Sequence, residues 1–242
     1  MVGIDLEVLP SSSALVERAT EFFVQQIAAR PSRLDPFLIA LSGGRISQQF
    51  FETLALKLHA SSAALETLHF FWADERCVPP QDPECNFAMA KSKLFDPLGI
   101  SQTQIHRIEG ELPPDQSVAN AVADLCRIAP KTHLDQPVID LLILGMGEDE
   151  HTASLFPNES KAAQESRAIY RHVVAPKPPP NRITLGYPAL ASARTVLILI
   201  SGSTKREPLR HALNPTSQSP MSKMLQSRQP TQSTRVLTDF SL

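Results

Sequence analysis

Cysteine is scarce in this chain: three residues of 242, Cys77, Cys85 and Cys126. The count is odd, with no CxxC pair and no Cys/His cluster. That argues against a disulfide framework or a structural zinc site and predicts a reducing, cytosolic setting. An excess of either charge is also lacking. The formal net charge is −2, so no global basic field draws the chain to nucleic acid, and an anionic ligand would need a local positive pocket. No apolar run is long enough to cross a bilayer, so no membrane partner is expected. The opening MVGIDLEVLP has no basic segment leading into an apolar one and does not read as a signal peptide. Glycine is sparse at nine residues, yet Gly43, Gly44, Gly145 and Gly147 fall in two short segments. With 42% hydrophobic and 20% charged residues, the chain reads as one large α/β domain over 1–242.

Four apolar runs of strand length are present: Phe37 to Leu41, Leu68 to Trp72, Val138 to Leu144 and Thr195 to Ile200. None alternates clearly, which predicts strands buried on both faces, as in a parallel sheet covered by helices. Helical periodicity separates them. Leu15 to Ala29 places Leu15, Ala19, Phe22, Phe23 and Ile27 on one face, and Phe50 to Leu58 and Ser117 to Ile128 are further helices. The alternation predicts an α/β fold with a mostly parallel sheet. Asn214 to Gln232 is rich in Ser, Pro and Gln, and residues 214–242 are expected to be partly irregular.

Polar and glycine residues follow each run, at the sheet edge where α/β proteins bind ligands. Ser42-Gly43-Gly44, followed by Arg45, is a turn whose N–H groups can approach an anion, or simply a tight turn. Asp74-Glu75-Arg76 follows the second run. Arg76 can grip a carboxyl or carbonyl oxygen, with Asp74 holding Arg76 or a sugar hydroxyl; a local ion-pair network is the alternative. Gly145-Met146-Gly147-Glu148-Asp149-Glu150-His151 follows the third. A histidine there suits a general base, with Asp149 to orient it or to bind substrate. Pro176 to Leu185 brings Lys177 and Arg182, and Lys205 follows the last run. Arg182 and Lys205 can supply the positive charge that a phosphate requires; a solvated basic loop at Lys177 and Arg182 is the alternative.

Read together, LSGG, FFWADERCVPPQDPECNF, DLLILGMGEDEHTASLFP, PKPPPNRITL and GSTKRE resemble the glucosamine-6-phosphate isomerase/6-phosphogluconolactonase family, on its lactonase side. The matching pieces span residues 38 to 206. The resemblance implies a Rossmann-like α/β/α sandwich and hydrolysis of 6-phosphogluconolactone to 6-phosphogluconate without metal or organic cofactor. It implies His151 as the base that activates water, beside Asp149, and Arg76 as the arginine of the DER segment. It places Gly43 and Gly44 on the phosphate side, with Arg182 and Lys205. The expected partner is a small phosphorylated sugar lactone, and the protein is expected to be a monomer or weak dimer.

Departures mark three places. The loop Glu84-Cys85-Asn86 replaces a more usual Ser-Asn pair. Arg45-Ile46-Ser47 stands where the family has Ser-Thr-Pro, which removes or displaces hydroxyls and adds a charge. Glu150 stands where it has glycine, so a backbone pose natural to glycine is expected to be strained there. The carboxylate of Glu150 is also expected to raise the His151 pKa. Two rivals follow. Deaminases on the same fold carry Asn-Glu-Pro a few residues after the histidine, whereas this chain reads Ser154-Leu155-Phe156-Pro157. A sugar-phosphate-binding protein with weakened catalysis is the other.

Overall fold

Large apolar side chains fill the four predicted runs, and each becomes a strand with little or no solvent face. In the computed structural model these are β2 (Phe37–Leu41), β3 (Leu68–Trp72), β5 (Leu141–Leu144) and β8 (Thr195–Ile200). The structure describes residues 3–30, 32–60, 65–132 and 134–242, and the counts below refer to these. Two further strands join them, β1 (Ile4–Val8) and β9 (Ser233–Thr238). The six form one parallel sheet in the order β1-β9-β8-β5-β2-β3. β4 (Asp74–Arg76), β6 (Tyr170–Val174) and β7 (Asn181–Leu185) form a small antiparallel sheet in the order β4-β7-β6.

The helices are α1 (Ser12–Ala29), α2 (Arg45–His59), α3 (Asn86–Ala90), α4 (Asp96–Leu98), α5 (Pro114–Ile128), α6 (Lys161–Gln164), α7 (Tyr187–Ala191), α8 (Arg206–Ala212) and α9 (Pro220–Gln226). In α1 the Ser11 side chain caps the first turn by accepting from Ala14 N. The five residues predicted for its inner face are all buried, and Phe23 meets Phe50 of α2 edge to face. Each such fully buried aromatic contributes about 1.5–3 kcal/mol.

Asn214 to Gln232 is irregular at both ends and helical between them. Ser219 caps α9 by accepting from Ser222 N, Pro220 opens the helix, and Met221, Met224 and Leu225 are buried. The β9 strand that follows pairs on both sides. Among the described residues no helix is long and apolar enough to cross a membrane.

The strand order positions the site. From β2 the chain moves outward to β3, then returns past β2 to β5. The crossovers therefore diverge between β2 and β5, and a crevice opens at the carboxyl ends of these two strands. The turn at Gly43-Gly44 and the loop at Gly145–Gly147 are its two walls.

Candidate active site

A cleft of about 530 Å³ lies at this switch point. Of the expected residues, Ser42, Gly43, Gly44, Arg45, Asp74, Arg76, His151, Arg182 and Lys205 line it. Asp149 does not; it stands behind His151.

One wall is the start of α2. Gly44 occupies the cap position at φ 109°, a conformation natural to glycine, and no side chain caps the helix. The first turn carries no acid, so uncapped N–H groups and the positive helix end meet the cleft. Gly43 is required for a different reason. A Cβ there would stand 1.9 Å from the Asn86 side-chain oxygen. Asn86 is itself fixed: its Nδ2 donates to Asp74 O at 2.9 Å and its backbone N to Glu75 at 2.8 Å.

Glu75 is the foundation of that corner. Its buried carboxylate accepts from the backbone N–H groups of Arg76, Asn86 and Phe87. Burial raises its pKa against these hydrogen bonds, to about 7. With its oxygens committed to the start of α3, it positions Asn86 and does not face the cleft. Of the two partners expected for Asp74, Arg76 or a sugar hydroxyl, Arg76 is not held by it: Asp74 accepts from Ser154 Oγ at 2.6 Å, while Arg76 Nη1 donates to Glu84 O at 2.5 Å and lies 3.3 Å from its carboxylate.

The third strand end folds back tightly. Gly147 N donates to His151 O at 2.9 Å, and Thr152 Oγ1 to Gly145 O at 3.1 Å. A Cβ on Gly147 would lie 2.1 Å from His151 Nδ1 and 2.3 Å from Asp149 Oδ1. His151 Nδ1 is hydrogen-bonded to Asp149, whose other oxygen accepts from Lys177 Nζ at 2.9 Å. Lys177 Nζ is also 3.2 Å from His151 Nδ1. Phe156 lies beneath: the His151 ring stacks on it at 4.9 Å, and Lys177 and Arg182 approach the same ring at 5.5 and 5.7 Å.

The charges are tuned accordingly. Burial alone would raise the Asp149 pKa, but hydrogen bonds from His151 and Lys177 outweigh it and bring it to about 2. Burial lowers the His151 pKa; Asp149 opposes this, and Lys177 adds to it. The balance favours the neutral imidazole. An Nδ1–H donated to Asp149 leaves Nε2 as the basic nitrogen.

Glu150 corrects one expectation and meets another. Its φ is 66°, the left-handed pose natural to glycine. Its carboxylate, however, turns away from His151 to His211 Nδ1, at 2.7 and 2.8 Å, so it does not raise the His151 pKa.

Arg182 is buried in the cleft wall, held by Pro179 O at 2.9 Å and Pro178 O at 3.3 Å. Burial, then Arg76, lowers its pKa. Lys205 is lowered by burial, against the pull of Glu148. Arg45 is exposed at the rim. Asn86, Lys177, Ser154 and Phe156 escaped sequence reasoning as site residues. All four stood inside the matched motifs; Asn86 and Ser154 acquire their roles through contacts to other segments, at Asp74 and Glu75 for Asn86 and at Asp74 for Ser154. Among the described residues no three His, Cys, Asp or Glu side chains are grouped to hold a metal ion.

Residues 10–234 match the family described as glucosamine-6-phosphate isomerases/6-phosphogluconolactonase. A 6-phosphogluconolactonase of Haemophilus influenzae is 34% identical over 196 residues, 80% of this chain and 81% of that protein. A 6-phosphogluconolactonase of a Nostoc species is 32% identical over 213 residues, 88% and 86% of the two chains. The solved structure of 6-phosphogluconolactonase from Trypanosoma cruzi superimposes with a TM-score of 0.85 at 26% identity, covering 98% of this chain and 96% of that one. A monomeric glucosamine-6-phosphate deaminase shares the fold, with a TM-score of 0.79 at 16% identity, covering 97% and 96%. The chain belongs to the glucosamine-6-phosphate isomerase/6-phosphogluconolactonase family.

Proposed function

We propose that this chain hydrolyses 6-phosphogluconolactone to 6-phosphogluconate, the hydrolytic step of the oxidative pentose phosphate pathway, with His151 as the general base. One observation carries the reading: a histidine backed by a carboxylate lines the same cleft as Arg76, Arg182 and Lys205. A base and a cluster of cations suit an ester that carries a phosphate. The lactonases among its relatives support the substrate.

The phosphate is held by the uncapped start of α2 at Gly43-Gly44 with Arg182 and Lys205, and Ser42 and Arg45 lie on the same wall. His151 Nε2 takes a proton from water as the water attacks the lactone carbonyl. Arg76 or backbone N–H groups stabilise the oxyanion. The tetrahedral intermediate collapses, the ring C–O bond breaks, and the imidazolium returns the proton to the departing ring oxygen. Asp149 keeps the imidazole in the required tautomer. Ser154 is fully buried and donates to Asp74, so it is committed to the scaffold and does not serve as the nucleophile.

The reading requires no cofactor. We take residues 1–242 as one lactonase domain, acting as a monomer or weak dimer in the cytosol, a setting that the three free cysteines suit. Acid release from freshly prepared 6-phosphogluconolactone tests the reading. The rate above spontaneous opening should rise in proportion to protein added; no increment over the blank would overturn it.

A further inference from the structure

Three acids, Glu148, Asp149 and Glu150, precede His151, and each finds its own partner. Asp149 takes His151 and Lys177. Glu148 and Glu150 reach the other way, to a single segment. Thr204 Oγ1 donates to Glu148 Oε1 at 2.7 Å, and His211 Nδ1 lies 2.7 and 2.8 Å from the Glu150 carboxylate. Thr204 stands next to Lys205 in the turn Ser203–Lys205, and His211 follows on α8.

This arrangement has a geometric consequence. β5 and β8 are paired only as far as Leu144 and Ile198. Past that point, among the described residues, no backbone hydrogen bond joins 145–156 to 201–212. The loop that carries the base and the turn that carries a cleft cation are joined by these side chains. The turn is also fastened from behind, where Asp239 accepts from Ser201 Oγ at 2.5 Å and Gly202 N at 2.9 Å. A glutamate at φ 66° is disfavoured against glycine. The carboxylate contact to His211 is what the position gains.

We propose that Glu148 and Glu150 form a two-point latch onto Thr204 and His211 that sets the spacing between His151 and Lys205, and with it the preference for a phosphorylated lactone. The proposal rests on the lactonase reading above. A substrate anchored by its phosphate presents its carbonyl at one fixed distance, so the base must be held in register with the anchor. A lactone without phosphate has no such register. Glu150 and His211 are positioning residues: neither lines the cleft.

The test compares the parent, Glu150→Asn, His211→Ala and the double variant on 6-phosphogluconolactone and on glucono-1,5-lactone, with spontaneous opening subtracted. Asparagine tolerates the left-handed pose and is too short to reach His211. Each single variant should lose about tenfold in kcat on the phosphorylated lactone, since small misplacements of a base are costly. KM, and the rate on glucono-1,5-lactone, should hold within about twofold. The double variant should fall no further than the singles, because both remove one contact. Equal loss on both lactones, or multiplying losses in the double variant, would overturn the latch. A parent inactive on the phosphorylated lactone would overturn the lactonase reading itself.

Discussion

Arg76 and Arg182 are directly paired across β4 and β7. Like charges opposite one another in an antiparallel ladder repel, and Arg182 is buried. Burial and Arg76 both lower its pKa, with Asp74, Glu84 and Asp149 opposing. Two guanidinium groups held this way at a cleft wall favour an anion between or beside them.

Removal of the cations should therefore weaken product binding. Arg182→Ala and Lys205→Ala should each reduce 6-phosphogluconate affinity by about 1.5–3 kcal/mol, the usual worth of charged hydrogen bonds. Titration calorimetry measures it. Arg182→Lys, which keeps the charge and loses the fork, should fall between parent and alanine. Unchanged affinity in both alanine variants would place the phosphate elsewhere.

Lys177 should be visible in the pH profile. Its ammonium lies 3.2 Å from His151 Nδ1 and lowers the histidine pKa, after burial. The parent should lose kcat/KM only below the ordinary histidine value of about 6.5. Lys177→Met removes a positive charge that disfavours the imidazolium, so the His151 pKa rises and the acid limb moves to higher pH. A limb that stays in place would detach Lys177 from the base.

Gly147→Ala tests the close approach at the histidine. The added Cβ would stand 2.1 Å from His151 Nδ1, which must then move with Asp149. Turnover should fall about 100-fold, as for a displaced catalytic group, while calorimetry shows 6-phosphogluconate still bound. Full turnover in a folded variant would show that this loop adapts.

Much of this was legible in the sequence, for identifiable reasons. β2, β3 and β8 begin and end where their apolar runs do, because strands buried on both faces carry no other signal. β5 starts later than its run. Asp140 lies within that run and accepts from Leu38 N at 2.9 Å while pairing with Arg194, so the chain there serves side-chain contacts before it pairs. β1 and β9 were hidden by charge: Asp5 and Arg235 look like surface residues and in fact pair with each other across adjacent strands. At the site, the strand-end rule and the matched motifs gathered nearly every cleft residue. Partner choice was illegible. Glu150 was placed correctly in its backbone pose, yet its turn toward His211, 61 residues away, leaves no trace in local spacing. The same holds for Asp74 and Ser154.

A histidine pair away from the cleft should contribute to the loss of stability in acid. His69 Nδ1 lies 2.9 Å from His106 Nε2, and His106 Nδ1 lies 2.6 Å from Asp124. Phe71 stacks on His106 at 4.3 Å. The His69 pKa is lowered by burial, then by His106 and Arg127, with Asp124 opposing. The unfolded chain therefore binds more protons at this residue. Its contribution is intact above about pH 6.5 and is lost as pH falls through the lowered folded value. Urea unfolding at pH 7.5 and 5.5 should show a smaller acid loss in His69→Gln than in the parent. Identical losses would assign the slope to other groups.

His151→Ala tests the central claim most directly, by initial rates on 6-phosphogluconolactone with spontaneous opening subtracted and 6-phosphogluconate affinity measured on the same preparation. With His151 as the base, hydrolysis falls about 10²–10⁴-fold while product affinity changes little, because the phosphate contacts lie on other loops. A folded His151→Ala that turns over at the parent rate would contradict the account and move the base elsewhere in the cleft, with Asp74 the next group to test.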